Sequence, residues 1–393
     1  MDKTLNKKKS ISTAGIVCIL ALFVLLILLD NVFPKTAFTS MLVPVLKKGA
    51  IYSLLCVSMN LLNGFTGLFS LGQAGFMLIG AYTYAIISIP NDLRDTVYMY
   101  SNGSDVHFSI PEMLGHVLGK DAGNIIGAIL CILIAGCVAA LFAFLIGLPV
   151  LRLKSDYLAI ASLGFAEIIR ALCQWDGLAR ITSGSFQLRK YTNFEDMRIG
   201  SFSLSTVFPF LIAGLCIFII ILLINSTYGR AFKAIRDDEI AAEAMGINLA
   251  RHKMQSFVMS SFFVGIGGAL LAMYQTTIIA SPFKSAMTYE ILLMVVIGGI
   301  GSISGSCIAA FLYTASNEWW LRFLDSGSMN LFGNRIAVPF FRDGFRKVVF
   351  SVVIMIIVLF FSRGIMGDKE LSFERIGAWF RKRFSGRGKK EAA

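Results

Sequence analysis

The sequence predicts an all-α integral membrane protein of about ten transmembrane helices, some of them short or broken, and three observations carry that prediction. Of 393 residues, 56% are hydrophobic and only 15% charged, where a soluble globular chain carries roughly a quarter charged residues. The apolar residues fall in repeated blocks close to the roughly 17–25 residues that cross hydrocarbon as a helix. Between the blocks, Lys and Arg gather in alternate connections, as the positive-inside rule requires of a polytopic chain.

Taken in order, the blocks lie at 13–32, 43–63, 66–89, 123–150, 156–173, 202–225, 255–279, 288–302, 304–316 and 346–362. The first follows Lys7, Lys8 and Lys9 and ends at Asp30 and Asn31 without a small-x-small cleavage signal, so a retained helix is expected rather than a signal peptide. The eighth and ninth are too short to cross alone, and Gly298, Gly299, Gly301 and Gly305 punctuate them. Two tilted or broken helices are expected there, with neighbouring protein satisfying the backbone. The chain thus divides into a cytoplasmic N-terminus (1–12), a membrane domain (13–362) and a basic cytoplasmic tail (363–393).

With ten crossings both termini fall on one side. The segments 1–12, 151–155, 226–254 and 363–393 hold 20 of the 36 basic residues, against 11 in the longer loops of the other side, which places the termini in the cytoplasm. Lys47 and Lys48 run against the bias and are expected to snorkel outward, or the second span to start nearer Gly49. Polar loops at 90–122, 174–201 and 317–345 face outward and have the length to receive a partner. In the tail, Phe373, Ile376, Trp379, Phe380 and Phe384 interleave with basic residues, the pattern of a helix lying on anionic lipid.

Other classes find no support. The net charge of +12 sits at block ends rather than along a polar helix, so nucleic acid is not the expected partner; the bilayer is. The seven cysteines fall in or beside apolar blocks and the three histidines stand apart, which indicates neither a disulfide framework nor a metal site. No Gly-x-x-x-x-Gly-Lys-Ser/Thr string occurs, so no loop in this chain is built to cradle nucleotide phosphates.

The connection 226–254 is too polar to span and too rich in helix formers to be a slack linker. It contains Arg230 and Arg236, then Asp237, Asp238 and Glu239, which favour a helix N-terminus, and Gly246, which ends that helix. Ala241, Ala242 and Ala244 offer a small flat surface on which another protein can close.

This loop resembles the coupling loop of ABC permeases, whose pattern is Glu-Ala-Ala, three residues, Gly. Ala241, Ala242 and Gly246 match the spacing, while Ile240 stands in the Glu position and Glu239 one residue earlier. The longer string Tyr228–Asn248 resembles the branched-chain amino acid permease family, particularly its LivM-type members. So do Asn60–Phe76, Tyr157–Arg170 and Leu293–Ser302, in the same order. One departure concerns the Thr-Gly-Gly-Pro-Asn-Gly-like string often found after the Glu167 helix, where this chain has Thr182-Ser-Gly-Ser-Phe-Gln187.

The resemblance implies an ABC importer permease fold in the bacterial cytoplasmic membrane, with no cofactor in this chain. It also implies a second homologous permease subunit, two ATP-binding subunits that use ATP, and an extracytoplasmic substrate-binding protein. Leucine, isoleucine and valine are the implied substrates; urea or another small amide is the nearest alternative and a sugar a more distant one. Glu167 and Arg170 meet on one helix face, either as a structural pair or as a gate or partner contact. Gln73 follows a glycine-rich approach and is read either as pathway lining or as polar packing; Gly298, Gly299 and Gly301 are read either as close helix packing or as pathway lining. An ion-coupled carrier would keep a carboxylate near the midplane, and the blocks hold only Glu167, near an outer end, and Glu290, also near an end. A membrane enzyme would need a nucleophile or metal set, and the sequence offers neither.

Overall fold

A computed structural model describes residues 13–32, 37–101, 103–153, 155–200 and 202–320, and short pieces at 328–331, 334–337, 348–349, 351–352, 355 and 364–367. The N-terminus 1–12, most of the predicted tenth span and nearly all of the basic tail lie outside the described residues.

The fold is helical almost throughout. In chain order the helices are α1 (Thr13–Asn31), α2 (Ala37–Asn60), α3 (Gln73–Ser88), α4 (Asn91–Val97), α5 (Ile110–Leu118), α6 (Lys120–Val150) and α7 (Ser155–Gln174). Then come α8 (Ala179–Thr182), α9 (Val207–Asn225), α10 (Thr227–Asp237), α11 (Glu239–Ala244), α12 (Leu249–Gln275), α13 (Ser285–Gly298) and α14 (Ile303–Ala315). Among the described residues, five helices are both long and apolar enough to cross a bilayer: Thr39–Phe65, Lys120–Val150, Tyr157–Gln174, Val207–Asn225 and Leu249–Gln275. The chain is therefore a multi-pass membrane protein. Helix α12 is its centre, with 83% of its apolar window buried. Small residues let its neighbours close in: an added Cβ at Gly80 would stand 2.1 Å from the Gly265 carbonyl oxygen, and one at Gly268 2.1 Å from that of Met77. The faces of α1, α6 and α9 that carry Leu25, Leu145 and Leu215 remain exposed, as lipid-facing surface does.

Several boundaries differ from the predicted blocks, for identifiable reasons. The third block does not start as a helix at 66. Helix α2 continues instead as a π-helical turn over Leu61–Phe65, residues 66–72 are non-helical, and α3 begins only at Gln73. Gly67 takes φ +76°, and an added Cβ at Gly72 would meet the Ser162 carbonyl oxygen at 2.8 Å, so this stretch is held open by contacts side chains would forbid. The second span starts well before Gly49, at Ala37. Lys47 and Lys48 sit inside it and do not snorkel free: Lys47 Nζ donates to Ser205 Oγ, and Lys48 pairs with Glu318. Helix α12 starts at Leu249 and takes up the end of the 226–254 connection. Helices α13 and α14, 14 and 13 residues long, reach only about 20 Å each at 1.5 Å per residue. They form the expected pair of short helices, folded back at residues 299–302.

Candidate functional site

The residues singled out from the sequence fall in two places. The first is the end of the bundle where α9 runs into α10 and α11. Phe232 and Ile235 on α10 are each 1% exposed and fasten that helix to the bundle. Asp238 breaks the chain at φ −159° and caps α11, its Oδ1 accepting from the amides of Ile240 and Ala241 at 2.9 and 3.0 Å. Gly246, at φ +85°, closes α11: its own amide donates to the Glu243 carbonyl and that of Ile247 to the Ala242 carbonyl. This is a Schellman end, for which a left-handed glycine is the usual residue. Lys253 of α12 then ties down Glu239 at 2.6 Å.

The surface of α11 differs from the expected flat alanine patch. Ala242 is 4% exposed and packs inward. The outward face carries Ala241 and Ala244 with Ile240 and Met245, which are 82% and 84% exposed. Arg230 and Asp237 are also exposed.

Arg236 links this segment to the bundle. Its Nε and Nη2 bind Asp237 Oδ1 at 3.0 and 2.8 Å, while Nη1 donates to the Gly64 carbonyl at 3.2 Å, inside the π-helical turn. Lys233 lies over the Phe65 ring, 5.6 Å from its centroid. From the other side the turn is held by Asn60. The Asn60 amide donates to Ser302 O at 3.0 Å and Ser306 Oγ at 2.8 Å, and its oxygen accepts from the Gly301 amide at 2.8 Å. Thr66 Oγ1 reaches Ser256 Oγ of α12 at 2.6 Å. One short, irregular stretch of backbone therefore joins α10, α12 and the α13–α14 turn.

Gly298, Gly299 and Gly301 belong to this joint. Gly298 faces Gly305, whose added Cβ would stand 2.1 Å from the Gly298 carbonyl oxygen, so residues 298 and 305 are a packing pair. Gly299 and Gly301, at φ +112° and +86°, make the turn itself.

The second place lies part-way along the bundle, where α3 and α13 begin. Gln73 is 1% exposed at the first turn of α3. Its Nε2 reaches Ser260 Oγ at 3.5 Å and its Oε1 has no partner. Ser261 Oγ is likewise buried and unpartnered. The Ala74 amide donates to Thr288 Oγ1 at 3.1 Å and that of Leu71 to Ser162 Oγ at 3.0 Å. Glu167 and Arg170 pair at 2.7 Å as their spacing predicts, and Glu167 Oε1 also accepts from the Ser285 amide at the start of α13. Helices α3 and α13 thus begin beside a cluster of hydroxyls and one half-satisfied amide. Helix α13 joins the places: Ser285 and Thr288 stand in the polar cluster and Gly298 in the joint, about 20 Å apart along the helix.

Asn60, Ser302, Ser306, Thr66 and Ser256 were not singled out as functional from the sequence. Asn60 carried a signal, being a strongly polar side chain near the end of an apolar run; the hydroxyls did not.

Comparison with known proteins fits this arrangement. The profile of a family described as "Branched-chain amino acid transport system / permease component" matches residues 41–362. The high-affinity branched-chain amino acid transport system permease protein LivM of Escherichia coli (strain K12) is 32% identical over 316 residues, covering 74% of this chain and 66% of the relative. The chain thus spans just under two thirds of that protein's length. The probable branched-chain amino acid transport permease protein LivM of Methanocaldococcus jannaschii is 24% identical over 334 residues, covering 82% of this chain and 92% of the relative. The LivH protein of the same organism, named in the same terms, is 22% identical over 238 residues, covering 60% and 72%. No solved structure matches the chain. With 322 of its 393 residues inside the matching profile, the chain belongs to the family of branched-chain amino acid transport system permease components.

Proposed function

We propose that this chain is the membrane-spanning permease subunit of an ATP-driven importer that carries branched-chain amino acids inward by alternating access, with no chemistry of its own. The observation that carries the reading is the joint at Gly64. Ile240, Ala241 and Ala244 of α11 and the following Met245 are exposed, and this is the face that receives the partner. Behind it, Arg236 passes the position of α10 to the π-helical turn and so to α13. Two ATP-binding subunits seated on α11 would bias the access state through this route, since a partner shifts an equilibrium only by binding its states differently. The polar cluster around Gln73 is the segment of pathway that this movement opens.

The remaining assignments rest on the family and on charge. The second permease subunit is a homologue, in keeping with the two differently named relatives in Methanocaldococcus jannaschii. An extracytoplasmic binding protein delivers substrate to the loops at the end of the bundle opposite α10 and α11. The membrane is the bacterial cytoplasmic one, with both termini on the side of α10 and α11.

Arg236→Ala tests the route. In the assembled complex in lipid, the variant should keep wild-type thermal stability within about 1 kcal/mol, since its ion pair with Asp237 is exposed. Substrate stimulation of ATP hydrolysis and ATP-driven leucine uptake should both fall at least tenfold. Unchanged stimulation would refute coupling through Gly64.

A further inference from the structure

The end of the bundle opposite α10 and α11 contains a cavity of about 250 Å³ that the transport reading does not use. Two connections build it, one following α4 and one following α7. They are sewn together by Tyr98, whose hydroxyl donates to the Ile181 carbonyl at 2.7 Å, and by the Asp105 amide, which donates to the Arg180 carbonyl at 3.2 Å. Burial pushes the Tyr98 phenol up to about 12, so it remains a donor. Arg94, 3% exposed, braces the first connection from beneath through the carbonyls of Ile86, Val106 and Phe108.

The lining combines three acceptors, one cation and an aromatic wall. Ser101 and Ser183 are 8% and 1% exposed, and neither hydroxyl has a hydrogen-bond partner. Asp176 lines the same cavity, with Arg180 at its rim. The Tyr100 and Phe186 rings stack with centroids 5.1 Å apart. Arg180 does contact Asp105, but at 3.5 Å with both side chains more than half exposed, a screened pair that leaves the guanidinium able to take another anion. Buried hydroxyls cost free energy when left unpaired, and two of them around one cavity mark a place that a ligand completes. A primary ammonium carries three N–H donors, and Asp176, Ser101 and Ser183 are three acceptors. The volume exceeds the ~30 Å³ share of one water and lies below the ~300 Å³ of pockets for drug-sized ligands.

We infer that this cavity is a binding site for a small zwitterion, its ammonium among Asp176, Ser101 and Ser183 and its oxyanion toward Arg180. Two sources share that chemistry: a free α-amino acid and the headgroup of an ethanolamine phospholipid. The inference rests on the importer reading only in making the amino acid the expected source.

The test uses the assembled complex, without any delivery protein, in phosphatidylcholine nanodiscs and in nanodiscs containing phosphatidylethanolamine. Labelled leucine should bind saturably in the first and be competed by unlabelled leucine, but not by N-acetylleucine, which lacks the ammonium. Asp176→Asn should weaken binding at least tenfold and Ser101→Ala severalfold. Weaker leucine binding in the second discs, with ethanolamine lipid retained by wild type and lost from Asp176→Asn, assigns the headgroup as an occupant. Leucine binding equal in both discs assigns the free amino acid. No saturable binding of either zwitterion, or an Asp176→Asn variant equal to wild type, overturns the site. ATP-driven leucine uptake, measured on the same wild-type preparation moved into sealed liposomes with its delivery protein added, separates the two readings: uptake without pocket binding removes only the pocket, and pocket binding without uptake removes only the importer reading.

Discussion

At the joint, the amide of Asn60 uses both of its ends, donating to Ser302 and Ser306 while accepting from Gly301. Along the bundle Gln73, equally buried, has one end of its amide empty and the other in a contact stretched to 3.5 Å. Folded chains satisfy nearly all buried polar groups; the π-helical turn keeps one orphan of its own, Asn63 Nδ2, so the contrast lies between these two amides, one held at both ends and the other at one. The joint also contains the tightest backbone approach between its two short helices, at Gly298 and Gly305, while the polar cluster is lined by hydroxyls that can rotate to new partners. On the proposed reading, the joint is the fixed attachment of α13 and the cluster around Gln73 its free end.

The comparison breaks most severely where packing is tightest. Gly305→Leu places a side chain where even a Cβ meets the Gly298 carbonyl oxygen at 2.1 Å. Overpacking of this kind costs about 1–3 kcal/mol or more, and here backbone must move to accommodate it. The expected outcome is loss of the folded protein from the membrane fraction, or a clear drop in thermal unfolding temperature in detergent. A variant as stable as wild type would show that α13 and α14 are not held at this point.

Next in size is Asn60→Leu, which keeps the branching of the side chain and removes the amide. The part-buried Gly301 amide loses its acceptor, and stranding such a group costs about 1–3 kcal/mol, while Ser306 keeps its bond to the Ser302 carbonyl at 2.9 Å. Unfolding should shift by an amount in that range, with leucine uptake lowered further than stability accounts for. If uptake tracks stability alone, the joint supports the fold and transmits nothing.

The helical class, the short pair α13–α14 and the cap and stop of α11 were all legible in the sequence, because each depends on local chemistry. Apolar block length fixes a span, Asp238 caps, Gly246 terminates, and Glu167 meets Arg170 at a spacing of three. What was not legible depends on contacts between distant segments. The delayed start of α3 follows from Gly72 lying against Ser162, 90 positions away. Ala242 turns inward against the bundle, which its own sequence neighbourhood does not reveal. The glycine string around 298–305 read as either packing or pathway, and only the fold shows that residues 298 and 305 pack while 299 and 301 turn. Arg236 and Gly301 looked like members of two separate lists, yet they meet at one π-helical turn, since Asn60 and Gly64 are four residues apart in α2 and its extension.

The smallest effect on stability is expected at Gln73→Leu, and that smallness is the sharpest form of the comparison. The substitution removes an unpartnered oxygen and one long contact to Ser260. Ser260 keeps its own bond to the Ser58 carbonyl at 2.7 Å, so no new orphan of that hydroxyl is created. Polar contacts between membrane helices average about 0.6 kcal/mol even when well formed, and the loss here should be no larger. Thermal unfolding should therefore be unchanged or slightly raised. Leucine uptake should nevertheless fall severalfold, because an apolar side chain at the head of α3 offers a passing zwitterion nothing to bind. Stability lowered as far as in Asn60→Leu would mean that Gln73 is structural glue and that the pathway runs elsewhere. Unchanged stability with unchanged uptake would remove Gln73 from the pathway while leaving the joint at Gly64 intact.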